Sequence, residues 1–190
     1  MFRAVLMSAI ALFTAQATFA DPQAEAVISN AALELAAGEL DAHELTELVD
    51  TNAIARFTLG RHVRGLADER VSAYANAFKG FLESTFDSYA HRFTGANIAM
   101  TGSVDRSTRD SIVTTRVSMP GGTPEMVRWR LMDRGGAWKV VDVQVQGLWL
   151  AIEQRAQIDA LLDRSGSIDQ AIESLGTPAR DFADTSDQRG

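Results

Sequence analysis

Residues 111–147 read SIVTTRVSMPGGTPEMVRWRLMDRGGAWKVVDVQVQG, and this stretch decides the fold. Three apolar runs are cut by two turn signals, Pro120-Gly121-Gly122 and Arg134-Gly135-Gly136. Within the runs Val113, Thr115 and Val117 alternate with Thr114, Arg116 and Ser118. Val127, Trp129 and Leu131 alternate with Arg128 and Arg130, and Val141, Val143 and Val145 with Asp142, Gln144 and Gln146. A period of two with short turns predicts antiparallel strands, one face apolar and the other wet. A further run upstream, about 97–104, ends at Asp105-Arg106-Ser107. The count is four strands in a meander, about 97–104, 111–119, 125–133 and 137–146, closed by Gly147.

Outward from the sheet the period changes to that of helices. Pro22 after Asp21 opens a helix that Gly38 ends. Asp41 with Glu44 forms a capping-box pattern for a short helix to about residue 49. A helix over 51–59 stops at Gly60. A long one over 68–91 carries Val71, Tyr74, Phe78, Phe81, Leu82, Phe86 and Tyr89 at three- and four-residue steps, one wide aromatic face. After the strands come helices over 150–164 and 168–175. The class is α+β: a curved four-stranded antiparallel sheet covered on one face by helices. The apolar surface is generous for so small a sheet. The layers either pack to normal density or stand apart around a void, which in water needs an apolar occupant; periodicity leaves both open.

The ends divide the chain. Arg3, the uncharged Ala-rich run to Ala17 and small residues at Thr18 and Ala20 make residues 1–20 a cleaved secretory signal. The run is too short and too rich in Ala and Thr for a spanning anchor. A single domain follows over 21–176, then a flexible polar tail over 177–190. Removing the signal takes away Arg3 and no acid, so the formal charge goes from −7 to −8. So acidic a chain is a poor partner for nucleic acid. With no cysteine there is no disulfide, thiolate metal site, Cys nucleophile or lipoprotein anchor.

Signals for catalysis are thin. His43, His62 and His91 are not spaced as a metal motif, and no Gly-x-Ser-x-Gly elbow or phosphate-cradling glycine loop occurs. Asp105, Asp110 and Asp142 are the carboxylates near the sheet that could act as a pair, and solvated or structural roles suit them better; Asp142 reads as a hydrogen-bond acceptor. The expectation is a protein without catalytic, metal or cofactor sites.

Four segments then occur in a telling order: Ile54-Ala55-Arg56-Phe57-Thr58-Leu59-Gly60-Arg61, the helix with Phe78, Phe81 and Leu82, Trp138-Lys139-Val140-Val141-Asp142-Val143 running to Gly147, and Gln154-Arg155-Ala156-Gln157-Ile158. With the signal and the lack of Cys, the chain resembles the MlaC family, the toluene-tolerance auxiliary proteins, over about residues 43–175. His62-Val63 and Leu148-Trp149 depart from the family pattern, which often has an aromatic after the first motif and an aliphatic residue then Ser after Gly147. These departures bear on lipid preference, and Trp149 on the shape of the pocket mouth. The resemblance implies a cone related to nuclear transport factor 2 with an internal apolar cavity. It further implies a monomeric periplasmic carrier whose cargo is phospholipid. Such a carrier passes lipid between an inner-membrane ABC transporter and an outer-membrane lipoprotein–porin complex and so maintains outer-membrane asymmetry.

On that reading Phe57, Phe78, Phe81, Leu82, Val117, Trp129, Val143, Val145 and Trp149 are the candidates for tail contact, although core and cavity wall look alike in sequence. Arg61 and Arg64 are candidates for a headgroup phosphate or a partner. Two other readings stay open: a small isomerase or hydrolase on the same cone, which needs polar groups deep in the pocket, and a ligand-free module that binds another periplasmic protein through an exposed apolar patch.

Overall fold

The computed structural model describes residues 21–176; the signal over 1–20 and the tail over 177–190 lie outside them. Six α-helices and five strands follow the order α1 (Pro22–Ala37), α2 (Ala42–Leu48), α3 (Thr51–Leu59), α4 (Asp68–Tyr89), β1 (Asn97–Ser107), β2 (Asp110–Ser118), β3 (Glu125–Asp133), β4 (Trp138–Val145), β5 (Leu148–Trp149), α5 (Leu150–Ser165) and α6 (Ile168–Leu175). Short 3-10 turns at Gly60–Gly65 and Ala90–Phe93 follow α3 and α4. Two caps act as the sequence reading expects: Asp41 and Glu44 form the reciprocal capping box of α2, and Gly38 ends α1 at φ 74°. The structure adds a third, Asp50, which accepts from Ala53 N at the start of α3.

The strands form one antiparallel sheet in sequence order, and it has five members rather than four. β5 was hidden by its turn. Val145 pairs with Leu148 across a two-residue loop in which Gln146 (φ 51°) and Gly147 (φ 83°) are both left-handed, the requirement of a type I′ hairpin. Asn or Asp usually fills the first of these positions, so Gln-Gly reads from sequence as an ending rather than a hairpin.

A second difference is a bulge. Leu131 pairs with Val140 and Arg130 with Asp142, so Val141 is the unpaired extra residue. The apolar face therefore carries Trp138, Val140, Val143 and Val145, while Val141 leaves it and lines a hollow with Asp142 and Arg130.

The helices do not form a single cover on one face. α1 lies across the apolar face, burying Ala24 and Ile28 against Val113, Leu131, Trp138 and Val140, and its Glu25 accepts from the Ser103 hydroxyl of β1. α3 to α6 build a separate core of Ile54, Leu59, Val71, Tyr74, Phe78, Ile158, Leu162 and Leu175. The long helix thus spends its aromatic face on other helices. α4 packs on α2, α3 and α6 and touches the strands at most marginally, whereas α2, α3 and α5 meet β4. Val49, bridged to Val140 at the sheet edge, packs against both cores. Among the described residues no helix is long and apolar enough to cross a membrane.

Candidate functional site

The seam between the helical bundle and the sheet is where packing is incomplete. Two hollows lie along it, of about 400 and 200 Å³, and Arg134 of the β3–β4 turn lines both. The smaller is mainly apolar. Ala53, Ile54 and Phe57 of α3 and Ala151 of α5 face Met132 and Val141, with Arg130, Arg134 and Asp142 as its polar members. The larger is polar and is bounded by α2, the first turn of α3, α4 and β4. These two hollows stand where a single enclosed apolar cavity was expected.

Local chemistry fixes the walls of the smaller hollow. Arg130 grips Asp110 with two hydrogen bonds, Nε to Oδ1 at 3.1 Å and Nη2 to Oδ2 at 2.9 Å. That partner raises the Arg130 pKa, and the pair keeps the guanidinium turned along the sheet. Asp142 Oδ1 accepts from Val143 N at 2.8 Å and from Ala151 N at 3.0 Å. It therefore satisfies an orphan N–H in the first turn of α5, a helix with no side-chain cap of its own. Burial pushes the Asp142 carboxyl above its ordinary value, opposed by those two N–H groups and by the nearby Arg130 charge. The acceptor role read from sequence is the one the carboxylate plays: it anchors α5 to β4 at the edge of the hollow.

The family-like segments around α3 and α5 converge. Gly60 (φ 55°) brings the chain so close to Arg155 that a Cβ there would lie 2.9 Å from Nε; the left-handed backbone calls for glycine, and a larger residue would also push the flexible Arg155 head aside. The Arg155 guanidinium sits over the Phe57 ring, 5.1 Å from its centroid. Arg61 Nη2 donates to both Asp163 oxygens at 2.6 and 2.5 Å and lies 3.6 Å from Asp159. His62 Nε2 is 2.9 Å from Asp159 Oδ1. His62, Asp159 and Asp163 bring their donor atoms within 4.8 Å of one another. The Arg61 cation already serves both carboxylates, so the cluster reads as a clamp between α5 and the turn after α3. Arg64 is exposed in the turn after α3.

The nine tail-contact candidates fall into three places. Phe78 is 4% exposed in the helical core, with Tyr74 and Phe81 ring centroids at 6.4 and 6.2 Å, and Phe81 and Leu82 pack on the rim of that core. Val117, Trp129, Val143 and Val145 share the apolar sheet face. Trp129 pairs with Val143 and donates from Nε1 to Thr115 Oγ1 at 2.9 Å. Phe57, 41% exposed, lines the smaller hollow on the other face. Trp149 is on that same outer face, because it pairs with Gln144, and it carries the Arg128 guanidinium 5.7 Å over its ring. The sequence reading did not single out Ile54, Met132 or Ala151. Ile54 lies one turn before Phe57 on α3, which is the one local signal that links them.

A family model described as MlaC protein matches residues 26–177. A search of curated proteins finds no match. Among solved structures, a phospholipid-binding protein from Ralstonia solanacearum, determined in complex with a phospholipid, superposes with a TM-score of 0.68 at 17% identity, over 83% of this chain and 96% of that one.

Proposed function

This chain belongs to the MlaC family, and from that premise we propose that it is a phospholipid carrier which shelters an acyl chain in the seam between α3 and β4. The observation that carries the reading is the pair of separate cores with an underfilled seam between them. A hollow of about 200 Å³ is smaller than the ~300–1,000 Å³ of ordinary ligand pockets, so a full tail requires the seam to widen. Because the bundle and the sheet each keep their own core, widening breaks neither. Phe57, Ile54, Met132 and Val141 are the first side chains the tail meets. Each buried methylene gains ~0.8 kcal/mol, about 12 kcal/mol for a sixteen-carbon tail, comparable to its gain in a bilayer. Exchange with a membrane then runs near balance, and a carrier needs no catalytic step.

The wider role follows the family. Residues 1–20 direct export, and the mature protein acts as a periplasmic shuttle on a cone related to nuclear transport factor 2. It passes phospholipid between an inner-membrane ABC transporter and an outer-membrane lipoprotein–porin complex, and so preserves outer-membrane asymmetry. The phospholipid named for the Ralstonia structure supports cargo of this class. The test is direct: purify the exported protein, extract it with organic solvent and identify the extract by mass spectrometry. Phospholipid in near-stoichiometric amount is expected. Lipid-free protein from cells, unable to take up phospholipid from vesicles, overturns the reading.

A further inference from the structure

The chain contains two lysines, Lys79 and Lys139, and both line the larger hollow. They come from different elements, α4 and β4, and Arg134 of the β3–β4 turn joins them. In a chain of formal charge −7, a cavity of about 400 Å³ lined by three cations against two carboxylates, Glu47 and Asp50, is a local excess of positive charge over the surrounding field. Each cation has a partner and keeps N–H donors beyond it. Lys79 Nζ lies 3.6 Å from Glu83 Oε1, and Lys139 Nζ donates to the carbonyl of Glu47. Arg134 Nε donates to Asp50 Oδ2 at 2.6 Å, while Asp50 Oδ1 is engaged by the first turn of α3. The lining adds the amides of Asn52 and Asn76, which supply hydrogen-bond donors beside the charges.

From this arrangement we infer that the hollow between α2, α3, α4 and β4 is a binding site for a phosphate group. Lysine point charges with a guanidinium and amide donors are the groups that recognise phosphate oxygens. The volume falls within the ~300–1,000 Å³ of small-molecule pockets, so the phosphate can carry a small polar substituent. Two sources share this chemistry. One is the headgroup of a phospholipid, since Arg134 also lines the apolar hollow next to it. The other is a soluble phosphate ester. The site stands apart from lipid carriage, because soluble phosphate tests it alone.

The lysine count makes the experiment clean. Reductive ¹³C-methylation of the exported protein keeps both lysine charges and gives two lysine signals in ¹H–¹³C NMR, apart from the terminal amine; Lys79→Arg removes one signal and assigns the pair. The protein is titrated with inorganic phosphate, glycerol 3-phosphate and dihexanoyl phosphatidylglycerol, each against sodium chloride of equal ionic strength. Both lysine signals are expected to move saturably with glycerol 3-phosphate and stay put with chloride. In Lys79→Gln the movement of the Lys139 signal is expected to need about tenfold more ligand, with the circular dichroism unchanged. Displacement of glycerol 3-phosphate by the short-chain lipid identifies the headgroup as the source; failure of the lipid to displace it identifies a soluble ester. Signals that do not saturate, that move equally with chloride, or that respond identically in Lys79→Gln overturn the inference.

Discussion

The helical core and the seam beside it are built from neighbouring residues of the same helix, yet they are packed to opposite standards. On one side of α3, Leu59, Ala55 and Thr58 are fully buried. Thr58 Oγ1 donates to Ala55 O at 3.0 Å, so its contact with Tyr74 OH at 3.0 Å is one in which the tyrosine donates. On the other side Phe57 is 41% exposed over a hollow of about 200 Å³. The difference teaches where the fold keeps its stability and where it leaves room. The bundle closes itself with aromatic stacking, buried hydrogen bonds and the Arg61 clamp. The sheet closes itself with α1. The contact between them rests on half-buried links: Val49 against Val140, the Asp50 N–H to Val140 O, the Asp142 bond to α5, and the polar ties of Arg134 to Asp50 and of Lys139 to the Glu47 carbonyl.

Three experiments press on that contrast, in decreasing order of effect. Leu59→Ala in the closed core is expected to cost about 3–5 kcal/mol in denaturant unfolding, since it removes a fully buried side chain from a site that relaxes poorly. A cost near that of a surface change would erase the distinction between the regions. Next, burial pushes the Tyr74 hydroxyl up to about 12 from its ordinary 10.0. The raised value means the folded state favours the neutral phenol, so this stability is complete below pH 10 and is lost as pH rises towards 12. A shift of that size amounts to about 3 kcal/mol at most, and Tyr74→Phe is expected to flatten this part of the stability–pH curve. An unchanged curve in Tyr74→Phe would place the alkaline loss elsewhere. Smallest in stability is Phe57→Ala at the seam, expected to cost under about 1.5 kcal/mol because the ring is already part-exposed. Its larger effect is expected in retained phospholipid, which should fall while the melting curve barely moves. A large loss of stability with lipid content intact would make Phe57 a core residue.

Much of the fold was legible in the sequence, and the failures have physical causes. The bounds of α3, β3 and α6 are those the pattern predicts, because Gly60 or glycine-bearing turns punctuate them. The bulge at Val141 was not legible: both Val140 and Val141 are apolar, so the alternation looks intact while its phase slips by one residue. Nor does an amphipathic face name its partner. The aromatic stripe of α4 suits a sheet as well as a bundle, and the less aromatic α1 became the cover of the sheet. The site was legible only in part for the same reason. Phe57 was found because a family-like segment surrounds it, and the acceptor role of Asp142 followed from its strand position. Lys79 and Lys139 are distant in sequence and carry no shared local signal, so only the folded chain brings them to one hollow.

The central claim is that a lipid tail enters between α3 and β4. Its most direct test is site-specific photo-crosslinking: p-benzoylphenylalanine is placed at Phe57 in one sample and at Trp129, on the α1-covered face, in another. Each is loaded with radiolabelled phospholipid and irradiated. The account predicts strong labelling from position 57 and weak labelling from position 129. Strong labelling from 129 with none from 57, in protein that holds lipid equally well, would contradict it.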